Sequence, residues 1–371
     1  MEGDQIRINK WLTPLSWLYE AGTEGRNALF DAGILKSRSF RIPIINVGNI
    51  TVGGTGKTPH VEYLIRLLSP KYKVAVLSRG YKRKSKGYVL AQPDSTVEEI
   101  GDEPWQIKQK FPHIYVAVDA NRCKGIERLM TDEATRDVEV ILLDDAFQHR
   151  YVKPGLNILL TDYHRLITED KVLPAGRLRE KASGRYRANT VIVTKCPRQM
   201  TPIEFRVIEK KLGLMPCQDL FFSTYAYGQM KALFHEKEML IQELAATNVL
   251  LLTGIGNPKQ MESDLKPHVC SVKRHSFPDH HFFSPKDIAD IHQAFSQMPQ
   301  PKLIITTEKD ATRLQSRTDL SPEIKDYIYV LPIEVHIMRN ATSKFNEKLF
   351  RYVQKNPRHR SVAQRKNHHK P

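Results

Sequence analysis

The segment Asn49-Ile50-Thr51-Val52-Gly53-Gly54-Thr55-Gly56-Lys57-Thr58 stands between an apolar run at residues 42–47 and a helical pattern at 60–68. The order is strand, glycine loop, lysine, hydroxyl residue, helix, which is the layout of a nucleoside-triphosphate phosphate cradle. Glycines let backbone N–H groups converge on phosphate oxygens, and the helix N-terminus adds a positive dipole. Gly53, Gly54, Thr55 and Gly56 would form the cradle. Lys57 would reach the β/γ-phosphates, and Thr58 would offer its hydroxyl to Mg²⁺. Without ligand, Lys57 is expected to face solvent. The strict pattern asks for glycine where this chain has Thr51. A glycine-rich turn carrying a chance lysine is the plainer reading, and the flanking strand and helix argue against it.

Short β-branched runs alternate with helical patterns after the loop, which predicts an α/β class. Runs at 73–77, 115–118, 138–143, 156–160 and 190–193 each end in polar residues: Ser78-Arg79-Gly80-Tyr81, Asp119, Asp144-Asp145, Asp162 and Thr194-Lys195. Ligands of open α/β sheets bind at such strand ends. Residues 221–234 read as a hairpin or a linker. A second α/β unit begins at residues 249–254, with a helix capped by Ser284-Pro285-Lys286-Asp287, a strand at 302–306 and a last strand region at 327–337.

With 371 residues, the chain has room for two compact domains. No apolar run of about 18 residues predicts a spanning helix. The first residues do not read as a cleavable signal. Cys123, Cys196, Cys217 and Cys270 show no paired spacing and read as free thiols in a reducing compartment. The formal net charge is +16, which suits a polyanionic partner or an anionic membrane surface. The final basic stretch lacks apolar periodicity and reads as a solvated tail. Residues 6–35 read as an amphipathic helix carrying Trp11, Leu12, Leu15, Trp17, Leu18 and Tyr19 beside basic residues. It suits a membrane interface, or equally packing on its own domain.

Asp144 and Asp145 close an apolar strand, where phosphate-cradle enzymes hold Mg²⁺, and Gln148 and His149 follow at once. Asp102 and Glu103 open a helix before Pro104, as capping acids or as a base for a hydroxyl proton. The run Phe277-Pro278-Asp279-His280-His281-Phe282 has no further ligand at zinc spacing, and reads as an acid–base or phosphate-contacting histidine pair, or as solvated loop residues. Arg79, Arg122, Arg177 and Arg179 all follow strand ends and suit an anionic substrate.

Together these stretches resemble the tetraacyldisaccharide 4′-kinase family. The resemblance is carried by Leu12-Thr13-Pro14-Leu15-Ser16-Trp17-Leu18-Tyr19, the loop from Val47 to Pro59, Ser78-Arg79-Gly80-Tyr81 and Gly101-Asp102-Glu103-Pro104. It continues through Leu143-Asp144-Asp145-Ala146-Phe147-Gln148-His149-Arg150, Leu173-Pro174-Ala175-Gly176-Arg177-Leu178-Arg179-Glu180, Phe277-Pro278-Asp279-His280-His281 and Thr306-Thr307-Glu308-Lys309-Asp310. These run in family order over roughly residues 10–335, and Thr51 is usual in this family.

The resemblance implies ATP-dependent transfer of the γ-phosphoryl group to the 4′-hydroxyl of a tetraacyldisaccharide 1-phosphate, giving lipid IVA. It implies ATP and Mg²⁺ as cofactors, and Thr58, Asp144 and Asp145 at the metal. Asp102 would be the base, paired with His280 or, failing that, His281, and Lys57 would stabilise the phosphates. Arg79, Arg122, Gln148, His149, Arg179 and Glu180 would line the region of the anionic glycolipid. The implied fold is an α/β/α core of the P-loop NTPase kind, with a smaller α/β domain joined by a two-stranded linker. The expected boundaries are 1–40 for the membrane-associating helical region, 41–219 for the core, 220–235 for the linker, 236–338 for the smaller domain and 339–371 for a terminal helix and basic tail. The implied location is the cytoplasmic leaflet of the inner membrane. No nucleic acid is expected, since the tail does not interleave aromatics for stacking. The rival function is a nucleotide-driven switch or metal-delivery ATPase, which would want a second loop lysine or paired cysteines; neither stands in the sequence.

Overall fold

The computed structural model describes residues 8–254, 259–278, 281, 283–315 and 317–358. The chain divides into one unit of Met1–Thr224 with His336–Pro371, and a second of Tyr225–Val335. The described strands are β1 (Ile44–Gly48), β2 (Val74–Ser78), β3 (Val89–Leu90), β4 (Tyr115–Val118), β5 (Val140–Asp144), β6 (Leu156–Asp162), β7 (Thr190–Thr194) and β8 (Asp219–Tyr227). They continue as β9 (Met230–Ala232), β10 (Glu238–Met239), β11 (Asn248–Thr253), β12 (Ser271–Ser276), β13 (Lys302–Thr307), β14 (Ile328–Leu331) and β15 (Ile333–Ile337). The helices are α1 (Thr13–Asp31), α2 (Lys57–Leu68), α3 (Val97–Ile100), α4 (Asp102–Lys110), α5 (Arg122–Thr131), α6 (Pro202–Leu212), α7 (Lys259–Leu265), α8 (Pro285–Ser296), α9 (Glu308–Gln315), α10 (Pro322–Lys325) and α11 (Thr342–Lys355).

The first unit is built on a nine-stranded sheet, ordered β15-β8-β7-β6-β1-β5-β2-β4-β3. Strands β4, β2, β5, β1, β6, β7 and β8 run parallel, and β3 closes one edge antiparallel to β4. The central strands β1, β2, β5 and β7 are buried along their whole length, as expected when helices cover both faces of a parallel sheet. Alternate residues serve opposite faces. Ala75, Leu77, Ile141 and Leu143 pack with Cys123, Ile126 and Leu129 of α5. Leu159, Val191 and Val193 pack with Phe205, Ile208 and Leu212 of α6. The chain leaves β1 for β2, returns to fill the gap with β5, and then places β6 on the other side of β1. That reversal opens a crevice at the carboxyl end of β1.

The second unit carries a six-stranded sheet, ordered β10-β9-β14-β13-β11-β12, parallel except for β9 and β10. Val249 and Leu251 face one core, and Leu250 and Leu252 the other. Helix α8 begins with the capping box the sequence predicts, Ser284 with Asp287. The chain passes between the units on β8 and β15, which are neighbours in the nine-stranded sheet.

Two sequence expectations change here. Residues 221–234 do not form a hairpin: β8 pairs in parallel with β7, while β9 pairs with β14 and β10. The run at 327–337 is two strands in two sheets, divided at Pro332, which lacks the N–H needed to continue a ladder.

Helix α1 buries only Ser16 and Phe30. Trp11 is 93% exposed, Leu18 72% and Trp17 66%. The helix is held by polar contacts instead. Ser16 Oγ donates to Val172 O at 3.0 Å and accepts from Ala175 N at 2.9 Å. The Tyr19 hydroxyl donates to Arg179 O at 3.1 Å. Among the described residues, no helix is long and apolar enough to cross a membrane.

Candidate functional site

The loop after β1 lies against the end of β5. Val47 pairs with Asp144 in register, and Asp145 N donates to Val47 O at 3.0 Å. A Cβ on Gly48 would stand 2.8 Å from Phe147 Cβ, so glycine lets the loop approach the acidic turn. Gly53 and Gly56 take positive φ angles of 105° and 84°, which favour glycine. Thr51 needs no such freedom. It forms an antiparallel bridge with Leu178, flanked by Val52 N to Arg177 O at 2.8 Å and Arg179 N to Ile50 O at 2.7 Å. The Leu-Pro-Ala-Gly-Arg-Leu-Arg-Glu stretch therefore zips onto the cradle itself. This accounts for the departure from glycine at residue 51.

Lys57 opens α2 and departs from expectation: its side chain is only 12% exposed, with Nζ 3.7 Å from Asp145 Oδ2. The acidic turn supplies a counter-ion that holds it inward. Arg179 Nη1 also meets both Asp145 oxygens, at 3.1 and 3.0 Å. Burial alone would raise the Asp145 pKa, but Lys57, Arg179 and Arg122 hold it below the usual carboxylate value. Asp145 adopts φ of 50°, rare outside glycine.

Asp144 behaves oppositely. It is 1% exposed. Burial first, then the negative potential of Glu103 and Asp145, push its pKa up to about 7. Ser78 Oγ donates weakly to its Oδ2 at 3.4 Å, and Oδ1 is buried without a partner. Two neighbouring carboxylates with opposite shifts mark a site built to receive charge. The environment of Asp144 brings in Glu103, which sequence reading had not placed in the site.

Asp102 is the first residue of α4, and Gly101 before it, at φ 91°, is the N-cap. A Cβ on Gly101 would stand 3.0 Å from Tyr81 O, so the Ser-Arg-Gly-Tyr turn presses on the start of α4. Arg79 is exposed. Arg122 is 3% exposed, donates to Ala120 O at 3.1 Å and Asp145 O at 3.4 Å, and has its pKa lowered chiefly by burial. Gln148 donates to Asn49 O at 2.8 Å and Glu180 Oε1 at 3.0 Å. Glu180 is buried and also binds Arg187 and Asn27, so it holds Gln148 from behind. His149 is held neutral: burial, then Arg122, Arg26 and Arg79, lower its pKa to about 4.

His281 Nε2 lies 2.8 Å from Asp287 Oδ2, and its ring stacks on Phe277. Asp279 and His280 lie outside the described residues. Among the described residues, no three His, Cys, Asp or Glu side chains form a ready metal cage. Mg²⁺ does not require one, since it usually takes one or two carboxylates plus waters and substrate phosphates. The unpartnered Asp144 Oδ1 and the hydroxyl of Thr58, the second residue of α2, fit that donor set.

Residues 8–354 match the family model for tetraacyldisaccharide-1-P 4′-kinase. The chain belongs to this family. A tetraacyldisaccharide 4′-kinase of Phocaeicola vulgatus is 54% identical over 98% of this chain and all of its own length. One from Porphyromonas gingivalis strain W83 is 47% identical, covering 95% and 99%. The solved structure of LpxK from Aquifex aeolicus, in complex with ATP, is similar with a TM-score of 0.69 and 30% identity over 93% of this chain and 99% of that one. The match supports the α/β architecture with its P-loop NTPase-like core. The four cysteines are free thiols, with Cys123 and Cys196 buried and Cys217 and Cys270 exposed.

Sequence reading missed more than Glu103. Ser78, Asp162, Thr194 and Lys195 were visible only as polar strand ends. Their partners are residues far away in sequence.

Proposed function

We propose that the carboxyl edge of the nine-stranded sheet is the phosphoryl-transfer centre of an ATP-dependent kinase that phosphorylates the 4′-hydroxyl of tetraacyldisaccharide 1-phosphate, a step of lipid A biosynthesis. The observation that carries this reading is the gathering of Lys57, Asp145, Arg179 and the buried, unpartnered Asp144 around one glycine loop. The switch or metal-delivery alternative is not favoured, because family membership extends over the whole described acceptor side as well as the loop.

In this reading the loop amides and Lys57 bind the phosphates of ATP. Thr58 and Asp144 would hold Mg²⁺, whose charge offsets that of the transferring group. Asp145, pinned by Arg179, aims Lys57 and stays ionised because of it. Glu103 keeps the potential around Asp144 negative, which favours a cation there. Asp102 accepts the proton of the sugar hydroxyl as its oxygen attacks the γ-phosphorus and ADP leaves. His280 or, failing that, His281 would share that proton with Asp102. Arg79, Arg122, Gln148, His149 and Arg179 present cationic and polar groups to the acceptor's phosphorylated head. Such catalysis rests on positioning and charge neutralisation more than on covalent chemistry.

Helix α1, with exposed Trp17 and Leu18, and the 3-10 turn Lys10–Leu12 before it, with exposed Trp11, suit the cytoplasmic surface of the inner membrane. Trp11→Glu with Leu18→Glu is expected to move the protein from the membrane to the soluble fraction at unchanged thermal stability. A fall in stability without that shift would return the helix to a packing role. The activity itself is tested with purified protein, Mg-ATP and tetraacyldisaccharide 1-phosphate in detergent micelles. A product one phosphate heavier, modified at the 4′ position, is expected. ATP hydrolysis with no lipid product would overturn the reading.

A further inference from the structure

Three consecutive carbonyls of the glycine loop are each held from outside. Lys195 Nζ donates to Gly54 O, Thr194 Oγ1 donates to Thr55 O at 2.9 Å, and His60 Nδ1 lies 2.7 Å from Gly56 O. In a planar trans peptide, a C=O and the N–H of the next residue point in opposite directions. Drawing these carbonyls toward β7 and α2 therefore turns the amides of residues 55–57 toward the other side of the loop. Successive amides turned one way make an anion-binding nest. The Thr55 N–H meanwhile donates to Gly53 O at 3.1 Å, a short three-residue closure that a phosphate oxygen can replace.

Lys195 is the unusual member of this set. It is 9% exposed and has a left-handed φ of 57°. A residue with a side chain keeps that conformation where its surroundings impose it. Its ammonium sits between Gly54 O and Asp162 Oδ2, the latter at 2.6 Å. Asp162 ends β6 and Thr194 ends β7, so the two strands next in order beyond β1 supply the brace. Neither Lys195 nor Asp162 belongs to the groups assigned to phosphate, metal or acceptor above.

We propose that Lys195, locked by Asp162, is a positioning residue for the nucleotide: it fixes the Gly54–Thr55 peptide so that the loop meets the phosphates of ATP already shaped. The inference rests on the reading that this loop takes the nucleotide. Because Asp162 neutralises the ammonium, Lys195 acts through geometry rather than by attracting phosphate. Pre-shaping a loop raises affinity by removing the ordering that binding otherwise requires. The chemical step, carried by other side chains, changes little.

The test is steady-state kinetics in lipid micelles together with calorimetric ADP binding, on the full chain. Lys195→Met is expected to raise the KM for ATP and the Kd for ADP about tenfold, the scale of a lost charge-assisted hydrogen bond. Its kcat at saturating ATP should stay within about threefold, and the KM for the lipid should not move. Thr194→Val, which removes one hydroxyl from a residue of nearly the same shape, should shift KM for ATP the same way by about threefold. It decides the matter if Lys195→Met does not fold. Asp162→Asn separates geometry from charge. A strut loses its lock, and ATP binds more weakly. A lysine acting by attraction loses its neutralising partner, and ATP binds more tightly.

Tighter binding in Asp162→Asn overturns the proposal, as does a KM for ATP within twofold of wild type in both Lys195→Met and Thr194→Val. Lys57→Met distinguishes the two levels of failure. If it abolishes turnover while the Lys195 and Thr194 variants bind ATP normally, the loop reading stands and the strut falls. If Lys57→Met also turns over normally, the loop reading itself has failed.

Discussion

The two sheets place similar architecture at their carboxyl edges and use it differently. Strand β1 lies between parallel β5 and β6, and β11 between parallel β12 and β13. A glycine follows the central strand closely in each, in the loop after β1 and at Gly254 after β11. At the nine-stranded edge, acids face cations and one another: Asp145 meets Lys57 and Arg179, while Asp144 keeps a buried oxygen without a partner. At the six-stranded edge, the buried acid Asp310 also leaves Oδ1 without a hydrogen-bond partner, but its other oxygen is spent on the fold. Its Oδ2 accepts from Gly254 N at 2.9 Å and Thr307 Oγ1 at 2.7 Å, with Arg313 at 3.6 Å from the other oxygen. Topology says where a ligand fits. The state of the charges says whether one is wanted.

The sharpest break between the edges is in activity. Lys57→Ala is expected to lower kcat by about 10²-fold or more, the scale for removing one preorganised charge from a transition state. The fold should persist, because Asp145 keeps Arg179 as a partner. Near wild-type turnover would remove Lys57 from the mechanism. A smaller but still large loss is expected for Asp102→Ala, read as kcat. Asp102 is not the N-cap of its helix, so Asp102→Asn should also lose most activity; if it kept it, the carboxylate would not be the base and a structural role would suffice. His280→Ala reports whether the six-stranded unit contributes to chemistry at all. A double variant with Asp102→Ala that loses little more than either single would show that the two act as one group.

The converse effect belongs to Asp310. Asp310→Ala leaves the buried Gly254 N–H and Thr307 hydroxyl without their acceptor, and should cost about 3 kcal/mol of stability. Denaturant unfolding would report it. ADP affinity, measured on the folded protein, should be unchanged. Weakened ADP binding at intact stability would mean that the six-stranded edge serves the nucleotide after all, and the contrast between the edges would collapse.

The loop, the acidic turn and the strand-end polar residues were legible in sequence because each signal is local: glycines before Gly-Lys-Thr, or acids after an apolar run. The order of the sheet was not local, and it decides which signals meet. Thr51 looked like a departure until Leu178 was found beside it. Lys57 looked exposed because the acid that holds it comes from β5's turn. Glu103 looked like one of two capping acids, and only the field it exerts on Asp144 sets it apart. The run at 327–337 read as one strand region because both halves are β-branched and apolar. The consequence of Pro332, two sheets rather than one, needs the partners β13 and β8 to be seen.

The smallest expected effect concerns the cationic rim of the nine-stranded edge. His149 has a buried Nε2 without a partner, and its pKa is lowered to about 4 by burial and by Arg122, Arg26 and Arg79. The unfolded chain takes up this proton near the ordinary histidine value of about 6.5. Between those two values the unfolded state binds the proton and the folded state does not, so stability falls as pH falls. The contribution is fully present above about pH 6.5 and lost progressively toward pH 4. Thermal unfolding should show the stability of wild type falling relative to His149→Gln as the pH drops across this window, because glutamine takes up no proton. An anionic head group bound among the three arginines would oppose them and favour the imidazolium. Substrate should therefore flatten the wild-type curve and leave that of His149→Gln parallel to its ligand-free form. Parallel curves for the two proteins without substrate would show that the arginines do not set the state of this histidine, and the picture of a rim waiting for an anion would lose its neutral reporter.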